Sequence, residues 1–399
     1  MATADRAAPR KGSGGGLGFL YDERVRSVVY QVICAGVFGW LVWYLFTNTS
    51  RNLDARGMSS GFGFLFTTAG FNTDFSLIPY AAGGTYLRVF VVGILNTLLV
   101  SVLSIIATTI LGFVIGVLRL SSNWLIARLA LAYVEIIRNV PLLLQIVFWY
   151  VGVFALLPRV KQSIGVLDIS FLNNRGMFMP APVFGDLFWA TVVAFFLAIV
   201  IAVGIKRWAR RRQELTGQQF PVFIVSLAIY VFLPLIVFFA SGSPLTWDVP
   251  LLQGFNFQGG MRLPPAFLAL FVALSIYHAS HLAEAVRAGI LSVSKGQTEA
   301  ASSLGLPPGK TMKLIIIPQA MRAIVPPLIS NCMNVVKNSS LAVAIGYSDI
   351  VALFMQTALN QSGYAIEIVA MTMGFYFVIS VSISAVLNVY NKRVQIKER

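Results

Sequence analysis

Eight long apolar runs, separated by short polar segments, dominate the pattern of this 399-residue chain. They occupy residues 28–46, 90–118, 129–157, 187–205, 221–240, 265–285, 324–346 and 365–390. A helix needs about 20 apolar residues to cross ~30 Å of hydrocarbon, so the pattern predicts an all-α integral membrane protein with eight spans. The third run contains Arg138 and Pro141, and the seventh contains Pro326, Pro327 and Lys337.

Composition agrees. Hydrophobic residues make up 57% and charged residues 11%, with mean hydropathy +0.78, which excludes an ordinary soluble domain. The net charge of +15 suggests a nucleic-acid partner until its distribution is considered. With the N-terminus inside, 21 of the 30 Lys and Arg fall on the cytosolic side, seven outside and two within spans. That is the positive-inside bias of a membrane protein, and it puts both termini in the cytosol. Residues 1–25 read as a disordered cytosolic tail without a cleavable signal, so the first span stays as an anchor. Cys34 and Cys332 fall in separate spans, which gives no disulfide framework. The only histidines, His278 and His281, form no metal-binding pattern. No nucleophile with its base is visible, so catalytic, metal and cofactor roles are assigned to no residue.

The polar segment between the sixth and seventh runs reads EAASSLGLPPGKTMKLIIIP from Glu299 to Pro318. Ala300 and Ala301 favour a helix with little bulk. Glu299 suits that helix's positive end. Gly305 allows a left-handed exit, and Pro307 and Pro308 block continuation. Gly305 to Thr311 looks like a phosphate-binding loop, but it has three residues between its glycines instead of four, and its prolines remove N–H donors. It reads as a turn. The spacing Glu-Ala-Ala, three residues, Gly, nine residues, Ile-x-Ile-Pro resembles the EAA loop of ABC importer permeases, with Ile317 where that family has Leu.

Three further blocks strengthen the resemblance to permeases for polar amino acids. They are YVEIIRNVPLLLQ from Tyr133, AEAVRAGI from Ala283, and KNSSL from Lys337. The resemblance covers about half of the chain, as a five-span core made of runs two, three, six, seven and eight. The overall layout is similar to the larger permease subunit of general L-amino-acid importers. It implies that residues 26–87 hold the first span and an external loop, and that 88–158 form the N-terminal section of the permease core. Residues 159–262 then hold external loops and an extra two-span hairpin, and 263–399 form the C-terminal section of the core with the EAA loop. The implied partners are a second permease subunit, an ATP-binding subunit dimer, a periplasmic amino-acid-binding protein and the bilayer of a bacterial inner membrane, with no nucleic acid. Glu299, Ala300, Ala301, Gly305 and Pro318 would couple the chain to the ATPase.

Charge within a span costs ~2.5–3.5 kcal/mol at the bilayer centre and marks a partner or a wet cavity. Arg138, Gln145, His281, Glu284, Asn334, Lys337 and Ser340 are therefore expected along the substrate pathway. Glu135 can pair with Arg138 at helical spacing, and Glu284 is the expected counter-charge of Lys337. The competing reading is structural: buried pairs fixing helix packing, or basic tips reaching the interface. An ion-coupled secondary transporter and an ABC permease for another small solute are the alternative functions. An enzyme working within the membrane would need a reactive cluster that is not visible.

Overall fold

The computed structural model describes residues 23–55 and 61–394, so the tail expected at 1–25 lies almost wholly outside the described residues. Most of the expected spans are single helices: α1 (Glu23–Ala55), α2 (Tyr86–Leu118), α5 (Phe188–Thr216), α6 (Val222–Ala240), α7 (Pro265–Leu291) and α12 (Ala365–Val394). α7 is the centre of the bundle. Two-thirds of its most apolar stretch is buried, whereas none of the corresponding stretch is buried in α1 or α6.

α2 lies against α7 through the sequence Gly112-Phe-Val-Ile-Gly116. A Cβ on Gly112 would stand 2.8 Å from the Leu282 side chain, and one on Gly116 2.7 Å from that of Val286. Small residues four apart let two backbones approach where hydrophobic force between helices is absent.

The third span is not one helix. α3 (Trp124–Asn139) and α4 (Leu142–Val147, continued by irregular helix to Leu156) meet at 102°. The cause is Pro141, whose ring disfavours helical geometry at the preceding residue; Val140 is extended at φ −99°, ψ 126°. The carbonyls left bare there are recovered by Gln145, whose Nε2 donates to Ile137 O (2.9 Å) and Val140 O (3.0 Å).

The seventh span starts at Pro308 and not near residue 324. α9 (Pro308–Thr311), a π turn over Met312–Ile316 and α10 (Ile317–Asn338) run on continuously into a 3₁₀ segment ending at Ile345. The wide turn explains why Pro318 is tolerated: Ile317 N–H reaches back five residues to Met312 O, in a stretch already departing from the α pattern. After a short turn, a π-helical run (Val351–Ala358) and α11 (Leu359–Ser362) lead to α12.

A small β layer, not foreseen as such, fills the loops around the α5–α6 hairpin. Strands β1 (Ile164–Val166), β2 (Ser170–Asn173) and β3 (Gly176–Met179) form an antiparallel sheet completed by β8 (Met261–Leu263). β4 (Ala181–Phe184) pairs with β5 (Leu245–Asp248), and β6 (Leu251–Gln253) with β7 (Asn256–Gln258). Residues 169–184, within the expected external loops, thus supply three strands. Val160, Phe178 and Phe257 form their own small core.

One buried carboxyl stands out. Asp349, in the turn between Ile345 and Val351, is fully buried; its Oδ1 accepts from Ala352 N (2.8 Å) and so caps the π-helical run. Its Oδ2 has no hydrogen-bond partner, and neither has the buried Tyr376 hydroxyl. Burial pushes the Asp349 carboxyl up to about 7, from about 3.9 in an unfolded chain. Between those values the unfolded state has released a proton that the fold retains, so stability falls as pH rises from about 4 to about 7. Asp349→Asn can keep the cap through its own Oδ1. Its melting temperature relative to wild type is expected to rise by more than about 3 °C between pH 5 and pH 8; a constant difference across that range would contradict this account.

Candidate functional site

α8 (Lys295–Ser303) carries the EAA pattern. Its N-cap is Ser294, which accepts from Gly296 N, so Glu299 lies in the middle of the helix and not at its start. The dipole argument for Glu299 fails for that reason, although the side chain is exposed. Ala300 is also exposed. Ala301 is only 1% exposed and faces inward, where α8 abuts α9 and the π turn. Gly305 adopts φ +72°, with Leu306 N–H bonded to Ala301 O (3.0 Å) and Gly305 N–H to Ser302 O (2.9 Å). This paired closure is the Schellman end of a helix. Pro307 caps α9 and Pro308 opens it. Pro318 is exposed in the first turn of α10, and Gln319 Nε2 ties that turn to Gln297 Oε1 of α8 (3.2 Å).

Above α8, between α7 and α10, lies a cavity of about 310 Å³. Tyr277, His278 and His281 line it from α7, and Asn331, Asn334 and Asn338 from α10. His278 is fixed from both sides: its Nδ1 donates to Asn331 Oδ1 (2.8 Å), and its Nε2 accepts from Asn338 Nδ2 (3.2 Å). Asn331 Nδ2 donates in turn to the His278 carbonyl (3.0 Å). This network sets the tautomer with the proton on Nδ1. His281 stacks edge-on to Tyr277 with ring centroids 4.8 Å apart, and its buried Nε2 has no partner. An orphaned polar atom on a cavity wall is a position where a ligand or water completes the bonding. No charged residue lines this cavity. Its wall offers hydrogen-bond donors and acceptors, suited to a small polar molecule of balanced charge.

Of the residues expected along the pathway, His281 and Asn334 reach this cavity. Lys337 is exposed three residues beyond Asn334 on α10, and Arg138 is exposed at the end of α3. Ser340 Oγ donates to the Lys337 carbonyl (2.7 Å) in the 3₁₀ segment. Gln145 is occupied with the Pro141 break. Glu284 does not pair with Lys337. It forms an ion pair with Arg119 at the end of α2 and another, at 2.6 Å, with Arg287 one turn along α7. Among the described residues no ion pair joins Glu135 to Arg138 either. Tyr277, His278, Asn331 and Asn338 were not foreseen, although Asn331, Asn334 and Asn338 recur at three and four residues, the spacing of one helical face.

Residues 194–396 match the family described as "Binding-protein-dependent transport system inner membrane component". The chain belongs to this family, the permease subunits of ABC importers. It is 49% identical over 378 residues to the putative amino-acid ABC transporter permease protein YhdX of Escherichia coli K12, covering 95% of this chain and 96% of that one. It is 48% identical to the general L-amino acid transport system permease protein AapQ of Rhizobium johnstonii, covering 95% of both chains. It is 42% identical to the glutamate/glutamine/aspartate/asparagine transport system permease protein BztB of Rhodobacter capsulatus, covering 95% of this chain and 96% of that one. The protein is thus a multi-pass inner-membrane transport subunit, and hydrolysis of ATP belongs to a separate subunit.

Proposed function

We propose that this permease carries polar L-amino acids inward, pairing with a second permease subunit and docking an ATPase pair through α8. One observation carries the reading: the segment with the EAA pattern is the covalent link between the two helices that wall the cavity. Displacement of α8 by a closing ATPase pair pulls on the inner ends of α7 and α10 and changes the spacing of His281 and Asn334. The neutral, hydrogen-bonding wall suits the paired charges of an amino acid better than a lone ion. The names of the full-length relatives support the same substrate class. The charge bias supports an orientation with both termini and α8 in the cytosol. Lys337 and Arg138, exposed on the isolated subunit, are then placed to face the second permease or the route between the two.

The test is uptake into proteoliposomes holding both permeases, the ATPase and the binding protein. Uptake is expected with ATP and no ion gradient, and excess L-amino acids are expected to compete. His281→Ala with Asn334→Ala is expected to lower uptake by about tenfold or more, the loss of roughly two ordinary hydrogen bonds, with the ATPase still bound. Uptake that follows an imposed ion gradient and ignores ATP would favour the secondary transporter.

A further inference from the structure

A cavity of about 770 Å³, larger than the α7–α10 cavity and away from it, lies in the β layer. Its walls are the stretch from Leu157 to Gln162, the β2–β3 turn at Asn174 and Arg175, and Phe255 in the β6–β7 turn. Arg159, Lys161 and Arg175 all border it, and no carboxylate does. None of the three is in an ion pair among the described residues. Of the acids in the β layer, Asp248 is held by Gly260 N, which donates to its Oδ2 (2.8 Å), and Asp168, in the β1–β2 turn, does not border the cavity. Phe255 is 80% exposed at the rim, with Lys161 Nζ 4.9 Å from its ring centre.

Position narrows what this cavity can receive. β8 leads directly into α7, and α8 follows the far end of α7. A helix of 27 residues spans about 40 Å, so the β layer and the ATPase-docking helix sit on opposite faces of the membrane. The family is defined by dependence on a binding protein, and on the proposed reading that protein approaches the face bearing the β layer. We infer that Arg159, Lys161 and Arg175, with Phe255, form a socket for an acidic surface segment of the binding protein. Exposed cations around an open cavity favour this occupant over free amino acid. Long basic side chains steer an oppositely charged protein surface and hold its register. A small ligand here would sit off the route, since His281 lies 16 residues along α7 from its outer end, about 24 Å.

The experiment uses the assembled complex in nanodiscs and the binding protein that drives uptake in proteoliposomes. Arg159→Glu, Lys161→Glu and Arg175→Glu are combined in one variant, with Arg159→Lys and Arg175→Lys as the charge-conserving control. The reversed variant is expected to keep basal ATPase activity while association of the binding protein slows by about tenfold or more at low salt. High salt is expected to erase most of the difference, because screening removes steering, and the control is expected to behave as wild type. Normal association by the reversed variant would overturn the socket. Binding of radiolabelled glutamate to the complex without binding protein, lost in the reversed variant, would overturn it in favour of a ligand site. Failure of the wild-type complex to import any amino acid would instead count against the proposed function.

Discussion

Gly305→Val is expected to leave the chain inserted and folded while abolishing most ATPase association. Nothing crowds this glycine: a Cβ built on it meets no atom within 4 Å, so its requirement is conformational and not steric contact with neighbours. At φ +72° a β-branched residue is an outlier, and holding it there costs about 1–3 kcal/mol. The chain escapes that cost by opening the closure formed by Leu306 N–H to Ala301 O and Gly305 N–H to Ser302 O. Opening it frees the end of α8 from α9 and removes the defined angle at which Glu299, Ala300 and Leu304 are presented. A loss near 1.4 kcal/mol is tenfold in association, so ATP-driven uptake should fall by about that factor or more. Gly305→Asn, which enters the left-handed region more readily, should retain most of it. Wild-type co-purification with the ATPase by the valine variant would remove this junction from the coupling path.

The features that were legible in the sequence are those written in long or fixed-offset patterns. Eight apolar runs gave seven continuous helices and one bent pair, because a run of 20 apolar residues has few other uses. The left-handed exit at Gly305 was legible because glycine between a helix and two prolines has a narrow meaning. The start of the seventh span was not, since 308–323 is mixed in polarity and contains Pro318, which reads as a break until the π turn accommodates it. The β layer escaped notice because its strands are three or four residues long and their turns look like loop. Glu284 was matched with the wrong cation for a different reason: Arg119 lies 165 positions away and meets it only through the close α2–α7 packing. Of the polar residues expected on the seventh span, only Asn334 lines the α7–α10 cavity. The α-helix ends at Asn338 and tightens into a 3₁₀ segment, which turns Ser340 away from the face formed by Asn331, Asn334 and Asn338.

That same α2–α7 packing carries the largest expected effect on stability. Gly116→Leu is expected to prevent recovery of well-folded protein. The Cβ alone would stand 2.8 Å from the Ala283 carbonyl oxygen and 2.7 Å from Val286 Cβ, closer than such contacts are tolerated, and backbone cannot step aside as a flexible side chain can. Overpacking in a dense interior costs about 1–3 kcal/mol, and here the remaining leucine atoms add to a clash with main chain, so the helices must separate. Separation exposes Leu282 and Val286, both fully buried, and pulls the Arg119–Glu284 pair apart. It also tilts α7, which carries His278 and His281 beside Leu282 on the cavity wall, so transport fails together with stability. Gly116→Ala should give a milder defect of the same kind, because it adds the clashing Cβ without the rest. Gly204→Leu on α5, where no atom lies within 4 Å of the new Cβ, is the control for added bulk in a span and should be recovered normally. The measurement is the yield of monodisperse protein on size exclusion and its melting temperature in detergent. Equal yields for Gly116→Leu and Gly204→Leu would mean that α2 and α7 do not approach through their backbones.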